Sequence, residues 1–157
     1  MKQPGAPVIE AHRLGKTYSG SAGPVNVFRN LSMRVEAGDF VAVMGPSGAG
    51  KSTLLQLLGC LDTPSQGSYR LAGKEIGCLR EPELARIRSR AIGFVFQSSH
   101  FVDYLSLQDN VALAGAYTGR NRPRHDAVRA RELLDQVGLG HRCGHQPAEL
   151  SLSLIHI

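Results

Sequence analysis

Gly45-Pro46-Ser47-Gly48-Ala49-Gly50-Lys51-Ser52 fits G-x-x-x-x-G-K-[ST], and its residue types suit one task, cradling a phosphate chain. The glycines let backbone N–H groups turn inward and approach phosphate oxygens closely. A helix beginning near Lys51 aims free N–H groups and the positive end of its dipole at the same anion. Lys51 adds a mobile positive charge for the β- and γ-phosphates. The Ser52 hydroxyl suits Mg2+, whose other ligands would be phosphate oxygens and water. Thr53 adds a further donor. The expected ligand is a nucleoside triphosphate with Mg2+, held by Gly45, Pro46, Ser47, Gly48, Ala49, Gly50, Lys51, Ser52 and Thr53. The bland alternative is a glycine-rich turn with a chance Lys-Ser, and the flanking elements count against it.

Those elements are a strand before the loop and a helix after it. Residues 40–44, Phe-Val-Ala-Val-Met, form a continuous apolar run, as expected of a strand covered on both faces. Residues 51–60 have helical spacing, with Leu54, Leu55, Leu57 and Leu58. Further strands are expected at 8–11, 31–36, 68–71 and 75–76, the last two around the turn Ala72-Gly73-Lys74. Residues 92–96, Ile-Gly-Phe-Val-Phe, read as a second buried strand. Pro82 suits a first helical turn, so 83–90 should be helical. Ser106-x-x-Asp109 is a capping box for a helix over 107–117. Pro123 opens a longer helix, with Val128, Leu133, Leu134 and Val137 facing inward and Gly138 ending it. Strand, loop and helix in this alternation predict an α/β P-loop nucleotide hydrolase fold. The nucleotide-binding core is expected in residues 1–82 and 92–97, and a mostly helical subdomain in 83–91 and 98–151.

The 157 residues fit one domain able to bury a core. The 42% hydrophobic and 20% charged content is globular and argues against disorder. The lack of Trp argues against a carbohydrate-stacking protein. Apolar runs fall far short of the roughly 20 residues of a membrane span. Met1-Lys2-Gln3-Pro4-Gly5 leads into a Pro/Gly-rich stretch, which predicts no secretory signal. Cys60, Cys78 and Cys143 form no C-x-x-C pair, so neither zinc nor a disulfide framework is expected. His100, His125, His141 and His145 lack metal-ligand spacing. The net charge of +5 leaves room for an anionic partner. The arginines of 80–90 and 120–131 alternate with acidic residues, though, and read as solvated helix faces.

The run from Gly45 to Leu55, followed by Leu58-Gly59 and Ser65-Gln66-Gly67-Ser68, resembles the ATP-binding subunits of ABC transporters. Leu58-Gly59-Cys60-Leu61-Asp62-Thr63-Pro64 and Ile92-Gly93-Phe94-Val95-Phe96-Gln97 are similar to the lipoprotein-release and macrolide-exporter group. The likeness covers about residues 8–151. It implies ATP as the nucleotide and an adenine-stacking role for Tyr18, in Gly15-Lys16-Thr17-Tyr18. A lone tyrosine is more often a surface or packing residue. It also implies that Gln97 contacts Mg2+ or the attacking water. A strand-end Gln by itself is ordinarily solvated. Residues 100–113, from His100 to Leu113 and including Phe101, Val102 and Tyr104, would help form a groove for a transmembrane permease subunit. Ordinary subdomain packing explains them equally well. The resemblance further implies a head-to-tail homodimer at the cytoplasmic face of the inner membrane, with no specific nucleic-acid partner. Other readings are a soluble ABC-type ATPase acting on DNA or the ribosome, a cell-division ABC ATPase, and a non-catalytic regulator.

Leu150-Ser151 begins the family signature Leu-Ser-Gly-Gly-Gln, but Leu152 and Ser153 stand where glycines belong. A Leu side chain would crowd a phosphate that only Gly lets the backbone approach. The acidic Mg2+ strand, catalytic Glu and switch His of the family lie beyond this point. The chain as given is therefore expected to bind nucleotide without turnover. The missing acidic strand should also leave a gap in the sheet beside 40–44 and 92–96. Leu152-Ser153-Leu154-Ile155-His156-Ile157 resembles the translation of a transposon-end adaptor used in sequencing libraries, so the native frame is expected to run to about Ser151. An independent read of the gene across codon 151 should give glycine codons at 152 and 153. Genomic DNA encoding Leu152 to Ile157 would overturn the adaptor reading.

Overall fold

The computed structural model describes residues 7–97, 100–116 and 123–154. The chain divides into two units, residues 1–93 and 94–157. In the first, strands β1 (Ile9–Gly20), β2 (Gly23–Val35), β3 (Gln66–Leu71) and β4 (Lys74–Glu75) form an antiparallel sheet ordered β2-β1-β3-β4. Helix α1 (Lys51–Leu58) lies between β2 and β3 in the chain, and α2 (Glu81–Ala91) follows β4. β1 runs well beyond the expected 8–11. It turns through Ser21-Ala22 into β2, pairing Tyr18 with Val25 and Ala11 with Met33.

The β3–β4 hairpin forms where expected. Ala72 and Gly73 both have positive φ, 49° and 80°, so the strands join through the two-residue loop that matches their twist. The first core holds Ala11, Leu14, Leu54, Leu57, Cys60, Tyr69, Leu71, Ile76 and Leu84. Leu54 and Leu57, three residues apart, put one stripe of α1 against the sheet. In α2, Pro82 sits in the first turn and the Glu83 carboxylate accepts from the Arg80 N–H at 3.2 Å. The structure places α2 in the first unit, because Leu84 is buried in that core with Ile87 one turn on.

The expected buried strands at 40–44 and 92–96 are not formed. Neither segment joins a ladder, and Phe40 is 97% and Met44 88% exposed, with Val95 fully so. Val43 and Ile92 alone in these runs pack against the first core. A parallel central strand needs partners along both edges and cover on both faces. The sheet among the described residues offers these two segments neither.

The second unit contains α3 (Leu107–Ala116), α4 (Pro123–Gln136), a 3-10 turn (Gly140–Arg142) and α5 (Pro147–Leu154). Leu107, Leu134 and Leu150 form its core. Ser106 caps α3: its hydroxyl accepts from the Asp109 N–H at 3.1 Å and donates to Asp109 Oδ2 at 2.6 Å, so the carboxylate meets the capping side chain. The loop after the 3-10 turn also buttresses α3, since the Leu107 N–H donates to the His145 carbonyl at 2.8 Å. Gly138, with φ 75°, ends the α4 region, and the Leu139 N–H closes back on the Leu134 carbonyl at 2.8 Å. The inward face of α4 differs from the expected one. Ala130 and Leu134, spaced i and i+4, are buried, whereas Val128, Leu133 and Val137 are exposed. Val137 lies past the last helical residue. The expected helix end at Tyr117, and residues 155–157 of the tail, lie outside the described residues. Leu152 to Leu154 complete α5.

Gly67 closes the first sheet against a bulge in β1, where the register shifts between His12 and Gly15. Its φ is +82°, and a Cβ there would meet the Arg13 carbonyl oxygen at 2.4 Å and that of His12 at 2.5 Å. Gly67→Ala should therefore cost about 2 kcal/mol or more. Urea unfolding checks this; a loss under about 0.5 kcal/mol would show that the bulge yields.

Candidate functional site

The phosphate loop leads directly into α1. Gly50, in the left-handed region at φ 84°, is its N-cap, with no side-chain cap and no acidic residue in the first turn. The helix thus presents its N-terminal N–H groups and dipole without an internal anion to satisfy them. Gly48, at φ 80°, turns the backbone within the loop, and the Ala49 N–H donates to the Pro46 carbonyl at 3.3 Å. Gly50 is also sterically required. A Cβ there would meet Val27 Cγ1 at 2.7 Å and Phe28 Cδ1 at 3.2 Å, so β2 packs on the end of the loop.

Lys51 folds over the loop, its ammonium donating to the carbonyls of Gly45 at 2.9 Å and Pro46 at 2.7 Å. This holds a positive charge beside the loop backbone. Ser52 is exposed in the first turn and Thr53 half-buried beside it. Tyr18 approaches this turn from β1, with Thr53 close enough to its hydroxyl to act on it.

The Tyr18 hydroxyl donates to Asp62 Oδ2 at 2.7 Å. This bond, then burial, then the charge of Asp62 raise the hydroxyl's pKa, against a smaller opposing effect of Thr53. Lys16 is 8% exposed and donates to Asp62 Oδ1 at 2.5 Å and to the Thr63 carbonyl at 2.8 Å. Its ammonium lies 4.7 Å from the Tyr18 ring centroid. Burial pushes the Asp62 carboxyl up. The hydrogen bonds from Lys16, Tyr18 and the Thr63 N–H, with the Lys16 charge, outweigh it and hold the group below its ordinary value. Sequence reasoning singled out neither Lys16 nor Asp62 as functional. An Asp three residues beyond the helix-ending Gly59 reads as a turn residue until its partners are seen.

Gln97 belongs to the second unit, exposed at a bend. In the same unit Phe94 and Phe96 stack at 5.4 Å and Phe96 meets His100 edge-on at 5.2 Å. Phe101, Tyr104 and Leu113 are exposed and Val102 half-buried. Asn110 ties this loop to α3: its Oδ1 accepts from the Val102 N–H, and its Nδ2 donates to the carbonyls of Val102, Leu105 and Ser106. Leu150 of the signature remnant is buried in the second core, and Ser151 lies in α5. Among the described residues no group of His, Cys, Asp and Glu could hold a metal ion by itself, and no helix is long and apolar enough to cross a membrane.

A glycine-shaped loop, an uncapped helix N-terminus and a lysine over both define a P-loop nucleotide-binding domain. Residues 28–153 match the ABC transporter family, and the chain belongs to it. It is 43% identical over 151 residues to the macrolide export ATP-binding/permease protein MacB 1/2 of Paracoccus denitrificans (strain Pd 1222). It is 46% identical over 147 residues to the pyoverdine export ATP-binding/permease protein PvdT of Pseudomonas entomophila (strain L48). These alignments cover 96% and 93% of the chain, which spans 22% of each relative's length. Among solved structures, the dimeric bacterial ABC transporter cassette MJ0796 superposes with a TM-score of 0.79 at 33% identity, covering 90% of this chain and 62% of that one. A dimeric post-hydrolysis state of the same cassette, bound to ADP and Pi, also gives 0.79, at 32% identity over 89% of this chain and 62% of that one.

The Asp62 network predicts an acid dependence. A carboxyl depressed in the fold stabilises it above its unfolded value of 3.8, and that contribution is lost as pH falls through the lower folded value. The stability gap between the protein and Asp62→Asn should be constant from about pH 5 to 8 and shrink below about pH 4. Urea titrations at each pH test this; a gap unaffected by acid would remove the carboxylate from the network.

Proposed function

We propose that this chain is the ATP-binding part of an ABC exporter, in which ATP binding and hydrolysis drive a membrane permease. The phosphate loop at the uncapped end of α1 carries the reading. The family match, and relatives named for macrolide and pyoverdine export, give it a transport setting. Lipoprotein release is the other activity suggested by the motifs at 58–64 and 92–97. Cargo selection falls to the permease. No observation favours a soluble ATPase on DNA or the ribosome, or a cell-division role.

The loop fits a triphosphate chain. Its N–H groups and Thr53 would hold phosphate oxygens, Lys51 would balance their charge, and Ser52 would take one position on Mg2+. When bound, that ion neutralises charge shared by the β- and γ-phosphates. Tyr18 would offer a ring face to adenine, and Gln97 an amide to Mg2+ or the attacking water. Hydrolysis would be in-line attack by water on the γ-phosphorus, with Lys51 and the loop N–H groups stabilising the charge on the transferring phosphoryl.

The functional unit in this reading is a head-to-tail dimer, as the dimeric cassette neighbours suggest. The exposed Phe101, Tyr104 and Leu113 suit a coupling helix of the permease, at the cytoplasmic face of the inner membrane. The 157 residues themselves bind nucleotide without steady turnover, because Leu152 and Ser153 replace the signature glycines.

ATP at a hundredfold above its Kd should stabilise the chain by about 2.7 kcal/mol. Lys51→Ala should lose most of this, read as the shift in Tm with ATP. Unchanged protection would remove the assignment. Steady turnover that Lys51→Ala abolishes would overturn the expectation of an inactive chain.

A further inference from the structure

Asp62 gathers three donors at one carboxylate, two of them from β1. Oδ1 accepts from the Lys16 ammonium at 2.5 Å and the Thr63 N–H at 2.7 Å; Oδ2 accepts from the Tyr18 hydroxyl at 2.7 Å. Lys16 is buried and holds its ammonium 4.7 Å from the Tyr18 ring centroid. A ring pinned at its hydroxyl by Asp62, with the Lys16 ammonium over one face, keeps one orientation and offers its other face outward. The ring is 40% exposed. Asp62 itself follows α1 by only a few residues, so the pin and the phosphate loop belong to one rigid piece.

We infer that Asp62, together with Lys16, is a positioning residue for base recognition: it sets the Tyr18 ring at a fixed place relative to the phosphate loop and reserves the face away from Lys16 for a purine. The inference rests on the adenine role proposed for Tyr18. The gain is preorganisation, since a ring already ordered loses little freedom when a base stacks on it. The phosphate contacts lie outside this network. Its loss should therefore weaken recognition of the base and leave recognition of the phosphates alone.

The test compares the affinity of the full chain for Mg2+-ATP with that for inorganic tripolyphosphate, by calorimetry. The difference between the two measures what the adenosine contributes, and the share lost in Tyr18→Ala is that of the base. Tyr18→Ala should shrink it about tenfold. Asp62→Ala should shrink it at least about threefold with tripolyphosphate affinity unchanged. Asp62→Ala also leaves the Lys16 ammonium buried without its carboxylate and risks misfolding, so the double variant Lys16→Met/Asp62→Leu, which removes both charges, should do the same. If Tyr18→Ala acts and neither Asp62 variant does, the positioning role is overturned while the adenine role stands. Equal losses for both ligands in the double variant would mean a general structural effect and overturn it too. If Tyr18→Ala leaves the difference intact, the adenine role fails and the positioning role falls with it.

Discussion

The Tyr69 hydroxyl donates to the Leu58 carbonyl at 2.6 Å inside a closed core, tying the last turn of α1 to β3. A buried tyrosine hydroxyl needs a partner, and a helix's last carbonyls lack one, so each group answers the other's need. Burial pushes the Tyr69 hydroxyl's pKa far above its ordinary value, so it remains a donor at any working pH. Around this bond Leu54 and Leu57 seat α1 on the sheet, each contributing roughly 1.5–3 kcal/mol by burial. The Arg88 guanidinium donates to the Cys60 carbonyl at 2.7 Å and brings α2 to the same corner. With its C-terminal end fixed, α1 has one direction to point, and the phosphate loop stands at the other end.

The antiparallel sheet is therefore more than an edge to the nucleotide-binding part. β1 brings Lys16 and Tyr18 to Asp62, and β2 presses Val27 and Phe28 on Gly50. Two apolar segments remain uncovered. Phe40, Val41 and Met44 in the first unit, and Phe94, Val95 and Phe96 in the second, carry the composition of buried strands but lie exposed. Such surface is an aggregation hazard unless another element covers it.

Short-range chemistry was legible in the chain. Ser106 capped its helix through Asp109, Ala72-Gly73 made its hairpin, Gly138 its helix stop, and the loop at 45–52 took its place at the start of a helix. Each depends on residues a few positions apart. The misread segments depend on distant partners. A continuous apolar run becomes a central strand only when neighbours flank it, which separates the ladderless 40–44 and 92–96 from the paired 68–71. Val128 and Val137 were misassigned because a 3.6-residue period leaves the phase of a short helix open until one contact, here Leu134 on Leu107 and Leu150, fixes it.

The sequence by itself specified the phosphate loop, because such a loop is local: residue spacing, glycines and a helix start suffice to define it, and the motifs around it carried the likeness to the ABC family. Tertiary structure alone decided how the loop is aimed and which residues support it. Lys16 and Asp62 are 46 positions apart, and nothing in either segment announces the other. Their pairing exists because the β1 bulge, Gly67 and the seat of α1 bring a buried ammonium to a carboxylate that neutralises it.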